Sequence, residues 1–122
     1  MPISIDYDRK ENVIYTKAEG VIKRDDIFSY FSFVASLDLK KGYRVLADYS
    51  DATLKLSNED IYSMAERRKM VLDTNEEISI AVFCKEDIVF GLGRMYEALL
   101  GSNKYKVMIF RSEEEAKVWL GL

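Results

Sequence analysis

The sequence predicts an α/β domain: a mostly parallel sheet with an antiparallel N-terminal edge hairpin, helices covering the sheet, in the order ββαβαβαβα. Three observations predict it. Two alternating stretches open the chain, joined by a short polar turn. After them, β-rich runs and runs of helical period take turns to the C-terminus. One β-rich run, "ISIAVFC", is almost wholly apolar, as a central parallel strand covered on both faces should be. Strand–helix alternation implies right-handed parallel crossovers. All 122 residues read as one domain, with no linker or repeat.

The elements follow in order. "ISIDYD" (3–8) alternates with Ile3, Ile5 and Tyr7 on one side; "NVIYTKAEG" (12–20) alternates again and stops at Gly20. With the polar "DRKEN" between them they form a hairpin. "KRDDIFSYFSFVASLD" (23–38) is a helix. Asp25 and Asp26 suit its positive end, and Ile27, Phe28, Phe31, Val34 and Ala35 repeat at helical spacing. "YRVLADYS" (43–50) is a strand entered after Gly42. "SNEDIYSMAERRKMVLD" (57–73) is a helix with Ile61, Met64, Ala65, Val71 and Leu72 on one face. "ISIAVFC" (78–84) is the apolar strand, and "EDIVFGLGRMYEALLG" a helix ending at Gly101. Its inward stripe is Ile88, Leu92, Met95, Tyr96 and Leu99. "YKVMIFR" (105–111) is the last strand, and "SEEEAKVWLGL" a closing helix with Ala116, Trp119 and Leu120 inward.

Composition narrows the function classes. Hydrophobic residues make up 48% and charged residues 32%, enough for a core and a polar surface. A net charge of −3 argues against nucleic acid, whose phosphates need a clustered basic surface. The one basic cluster, Arg67, Arg68 and Lys69, reads as a solvated helix face. The single cysteine, Cys84, sits at a strand end as a core residue. There is no histidine, which removes the commonest general base, the usual triads and most zinc sites. No metal, cofactor or catalytic constellation is predicted. The N-terminus lacks an apolar run after a basic start, and the longest uncharged stretch, Ile27 to Leu37, is too short to span a bilayer. The expectation is a cytoplasmic protein without integral membrane association.

Four places carry candidate sites. In "LADYSDATLKLSNEDI" a strand ends at Asp48 and a helix begins near Ser57. Asp60 lies three residues after Ser57, a capping-box spacing. Ser50, flanked by Asp48 and Asp51, reads as a turn residue. Asp48 is the best-placed acid, because ligands of open α/β sheets gather at the carboxyl ends of parallel strands. In "GLGRMYE", Gly91 and Gly93 match neither the dinucleotide nor the phosphate-loop pattern and suggest close helix packing. Arg94 and Glu97 are spaced to pair, while Phe90 beside Arg94 forms an alternative surface for an anionic or amphiphilic ligand or a partner. In the first helix, Tyr30, Phe33 and Leu37 add a second apolar strip beside the core strip. Its apolar arc is far wider than the roughly 100° a one-sided helix needs. A homodimer covers it most simply, and a pocket under the helix is the alternative.

The order of elements and the stretches "RVLADYSD" (44–51), "GLGRMYE" (91–97) and "VMIFRSEEEAKVWL" (107–120) resemble the SpoIIAA-like group of the STAS superfamily. The likeness is to its uncharacterised branch, related in fold to the CRAL-TRIO lipid-binding domain. In the anti-sigma-factor antagonists of this superfamily, the loop after the third strand carries Asp-Ser-Ser-Gly, and a partner kinase phosphorylates the first serine. Those positions fall on Leu56, Ser57, Asn58 and Glu59, of which Ser57 matches. The resemblance therefore implies Ser57 as a phosphoacceptor position, beside its reading as a helix cap. It implies a non-catalytic regulatory or protein-binding module. The alternative is a carrier or sensor of a small apolar or amphiphilic ligand.

Overall fold

The computed structural model describes residues 2–71, 78–100 and 105–122. The elements are β1 (Ile3–Asp8), β2 (Val13–Ile22), α1 (Arg24–Ser36), β3 (Arg44–Leu54), α2 (Asn58–Val71), β4 (Ile78–Phe83), α3 (Asp87–Leu100), β5 (Tyr105–Phe110) and α4 (Glu113–Leu120). The order is the predicted one. The Asp8 carboxylate shapes the first turn by accepting the N–H groups of Lys10 and Glu11 at 2.9 and 3.0 Å. Asn12 closes it with a φ of +59°, a region asparagine tolerates.

The sheet runs β1-β2-β3-β4-β5, with β1 antiparallel to β2 and the other neighbours parallel. Each right-handed crossover steps one strand in the same direction, so α1, α2 and α3 land on the same face. Their core takes Ile14, Val45, Ile80, Val107 and Ile109 from the strands. After β5 no strand remains to be reached, and α4 folds onto the other face. There Ala116 and Leu120 pack on Val13, Leu46, Ala81 and Phe83.

Both long strands outrun their predicted ends. β2 continues through Gly20, whose φ of +74° favours glycine, and ends at Ile22. β3 continues to Leu54, so Ser50 lies within a strand and not in a turn. The register explains why the sequence misleads. Lys17 pairs with Asp48 and Glu19 with Asp51, so β3 spends one residue more than β2. This bulge spoils the alternation that marks a strand. It also puts Asp48 and Asp51, three apart, on the same face, where an unbroken strand would send them to opposite faces.

The helices dock on slightly different stripes from those expected. In α1 the buried set is Ile27, Tyr30, Phe31 and Val34, and Ala35 is exposed. In α3 it is Val89 and Leu100, with Leu92, Met95, Tyr96 and Leu99 half-buried against the core as expected and Ile88 63% exposed. Close packing decides this. A Cβ on Gly93 would come within 3.0 Å of the Ile109 side chain, so the missing side chain lets α3 approach β5. Gly91 faces open space, so the packing reading holds for Gly93 alone. Trp119 is 37% exposed and lies tilted on Phe110 at 5.8 Å, while Ala116 and Leu120 are buried as expected. Cys84 is buried, and burial pushes its thiol up. Leu72, the Val71 side chain, Asp73 and Gly101, all assigned in the sequence reading, lie outside the described residues.

Candidate functional site

Between the three-helix layer and the sheet the side chains leave a cavity of about 80 Å3. Its walls are apolar, with Phe31, Ala47, Ile61, Val82, Val89 and Ile109 among them. Native interiors close-pack to leave few voids larger than a water. Filling such a space with side-chain atoms would be worth about 2 kcal/mol, at roughly 24 cal/mol per Å3.

Arg68 reaches this cavity from α2 and is 4% exposed. This corrects the reading of the basic cluster as a solvated face. Ile61, Met64, Ala65 and Arg68 stand at i, i+3, i+4 and i+7, so the helix that buries the first three buries the fourth. The three cations part company. The Arg67 guanidinium stays outside, 4.5 Å from the Phe28 ring centre. That of Arg68 lies 5.3 Å from the Phe31 ring centre. Lys69 pairs with Glu66 at 3.9 Å.

Tyr30, Tyr49 and Tyr96 line the same cavity. The hydroxyls of Tyr30 and Thr16 share a 2.9 Å hydrogen bond. Burial raises the Tyr30 phenol above its ordinary value, and the Arg68 charge pulls the other way. Tyr49 is raised by burial first, then by Tyr30 and Tyr96, again against Arg68. The guanidinium therefore acts on both phenols, and at neutral pH both are protonated. Such groups can hold an anion by charge and hydrogen bonds. They supply no base ready to take a proton.

The predicted site residues are dispersed. Ser57 caps α2 reciprocally: its Oγ accepts the Asp60 N–H at 3.1 Å, and Asp60 accepts the Ser57 N–H at 2.9 Å. Asp48 sits in mid-strand on the α4 face, and the sheet order never reverses to open a crevice there. Its Oδ2 takes the Lys17 ammonium at 2.9 Å, which also reaches Asp51 at 2.8 Å. Its Oδ1 accepts the Ser50 N–H at 2.8 Å, fixing the bulge. Lys17 and Asp48 border an open depression of about 320 Å3 with Tyr15, Phe83 and Lys117. Tyr15 donates to Glu11 at 2.7 Å, which with burial lifts its phenol to about 12.

Phe90 is half-buried, and the cation over it is Arg111, at 4.2 Å from the ring centre. Arg111 also pairs with Asp87 at 2.8 Å. Arg94 points elsewhere, with Glu97 at 3.9 Å. The second apolar strip of α1 divides as well. Tyr30 is 8% exposed and belongs to the core, with an edge that lines the groove beside β1; Phe33 is 48% exposed and Leu37 half-buried. Phe33 flanks a groove of about 420 Å3 between α1 and the edge strand β1. Among the described residues, no group of three potential metal ligands gathers, and no helix is long and apolar enough to cross a membrane.

The architecture is thus a singly wound α/β domain with an apolar cavity under its helices. The chain matches no family model and no curated protein by sequence. In structure it is similar to an uncharacterized protein of the DUF3478 family with a SpoIIAA-like fold, from Shewanella loihica PV-4. The TM-score is 0.60 at 14% identity, over 97% of this chain and 93% of that one. The fold is SpoIIAA-like.

Proposed function

We propose that the protein is a non-catalytic module that binds a small apolar or amphiphilic molecule between its helical layer and its sheet. The observation that carries this reading is the cavity of about 80 Å3 in the larger core. Ala47 on its wall is small where a bulkier residue would narrow it. The relation to the CRAL-TRIO lipid-binding domain that the sequence resemblance implies is in keeping with this reading. A phosphoswitch at Ser57 has less support, because its hydroxyl is engaged in the cap and a phosphate would face the Asp60 carboxylate. Native mass spectrometry of protein purified from its own host tests the proposal. A non-covalent small mass that leaves on denaturation is expected. Ala47→Val should narrow the cavity, raise the melting temperature and lower that occupancy. Ligand-free native protein, with no thermal upshift from small acids or alcohols, would sink the reading.

A second reading rests on Phe33 and the groove beside β1: self-association across that edge. Light scattering at micromolar concentration checks it. A dimer is expected for wild type and a folded monomer for Phe33→Lys. A wild-type mass of one chain, 14.1 kDa, rules it out.

A further inference from the structure

We infer that β1 is a docking edge for a second copy of this chain: the two β1 strands pair antiparallel about a twofold axis through Ile5 and join the two sheets into one. The inference rests on the self-association reading above and gives it a surface and a register.

The backbone is the first ground. Ile3 stands opposite Ala18, and the Glu19 N–H donates to the Pro2 carbonyl at 2.8 Å. Along an antiparallel strand, residues that bond to the neighbour alternate with residues that do not. Pro2, Ser4, Asp6 and Asp8 therefore turn their backbone groups to β2, and Ile3, Ile5 and Tyr7 turn theirs away from the sheet. Among the described residues, no strand pairs with that outer side. Such an edge is a template for another strand, and proteins blunt it with lysine, proline or a bulge. Within its span, ISIDYD, β1 has none of the three, and its pairing with β2 runs without a shift. β5, at the other edge, carries Lys106.

The side chains select the register. An axis through Ile5 sets Ile5 against the partner's Ile5 and Ile3 against the partner's Tyr7. Every outward-facing residue of the strand then bonds, with two N–H to carbonyl bonds at each pair. These side chains lie on the face covered by the helices. On the opposite face Asp6 meets the partner's Ser4, whose hydroxyl can donate to the carboxylate, and Asp8 meets the partner's Pro2. No like charges stand opposed. An axis at Asp6 would set two carboxylates against each other, and one at Tyr7 would set Asp6 against Asp8. An axis at Ser4 keeps charges apart but leaves Tyr7 with no strand residue opposite. A strand that complements itself in this way is what a twofold contact requires. The axis stands perpendicular to the sheet, so both α1 helices lie on the same side of it. The groove of about 420 Å3 between α1 and β1, with Phe33 on its rim, then meets its counterpart across the axis, and each copy covers the other's.

Light scattering at micromolar concentration, together with cysteine pairing, tests the inference. Wild type should be two chains. Ile5→Pro removes an N–H that faces away from β2, so the fold should stand and the dimer should be lost. Ile5→Ala keeps that N–H and should still dimerise, at a few-fold higher concentration. Ser4 and the partner's Asp6 form a pair without backbone bonds, where side chains come closest. Under oxidation, Ser4→Cys and Asp6→Cys in one chain should therefore give a covalent dimer, and either substitution alone several-fold less. Cys84 is buried and stays out of the reaction. A wild-type monomer would overturn the inference and the self-association reading together. A dimer that Phe33→Lys breaks and Ile5→Pro leaves intact would overturn the ladder and leave that reading standing. A covalent dimer formed as readily by Ser4→Cys alone would move the axis to Ser4 and overturn the register. Should Ile5→Pro fail to fold, the pattern of cysteine pairing decides alone.

Discussion

On the face of the sheet covered by α1, α2 and α3, strand side chains such as Ile14 and Ile80 meet a continuous apolar layer. On the other face, among the described residues, the eight-residue α4 alone packs down, and the β2–β3 side carries Lys17 bonded to both Asp48 and Asp51. The difference comes from topology. Three successive crossovers of one hand cannot share their helices between the faces. The crowded face has depth for a cavity and can bury a cation. The sparse face keeps its charges solvated and spends them on fixing a bulge. A charged residue therefore means different things on the two sides: Arg68 is a buried cation in a cavity wall, and Lys17 is a strand clamp.

Truncations should separate the faces most clearly. Ile14→Ala, under three helices, should cost toward the upper end of about 2–5 kcal/mol. Leu46→Ala, under α4 alone, should fall toward the lower end. Denaturant melts measure both, and equal losses would break the contrast. Next in size is the cap that starts the helix carrying Arg68. Ser57→Ala should cost roughly 0.5–2 kcal/mol, and Ser57→Asp should stay close to wild type, because aspartate also caps. A neutral alanine would show that α2 is held by packing alone.

A smaller effect should appear on the sparse face as a pH dependence. Burial raises the Asp48 carboxyl, but the Ser50 N–H and the Lys17 ammonium outweigh it and leave it below its ordinary 3.8. A depressed carboxylate gives stability that is complete above its unfolded value and is lost as pH falls through the folded one. The excess stability of wild type over Asp48→Asn should thus hold from neutrality down to about pH 5. Below 3.8 it should fade. Melts across that range check it, and a difference that grew on acidification would reverse the assignment. Least of all, Arg94→Ala should change stability by under about 0.5 kcal/mol, since the Arg94 side chain is 57% exposed and its pair with Glu97 is long, at 3.9 Å. A larger loss would show that Arg94 braces α3.

The fold was legible because its signals are local. Alternation in β1 and β2, helical period after Asp25, and the apolar run of β4 each fix an element without knowledge of the others. The site was less so. Arg68 carries the needed spacing from Ile61, but a run of three cations reads as surface until the helix is docked. Tyr30 looked peripheral because the sequence shows two apolar strips on α1 and not which one meets the sheet. "DYSD" has turn composition, and only its pairing with β2 shows a strand that takes in one extra residue. Gly93 could be read as a packing glycine, but its partner Ile109 is a tertiary fact.

That extra residue sets the reading frame of everything downstream in β3. Ahead of it, Val45 and Ala47 face the helices; beyond it, Ala52 does so again, on the opposite parity. A single-residue deletion at Ser50 would remove the bulge, restore unbroken alternation and leave Asp51 and Thr53 outward and Ala52 and Leu54 inward, in their present register with β2. A substitution at the same position leaves the count intact and need move only a side chain. The stretch should therefore accept many amino acids and the loss of this one residue, but not a second loss, which would turn every downstream side chain to the other face. In a library of variants, the single deletion at this half-buried position would survive where deletions in the regularly paired part of the strand would be lost.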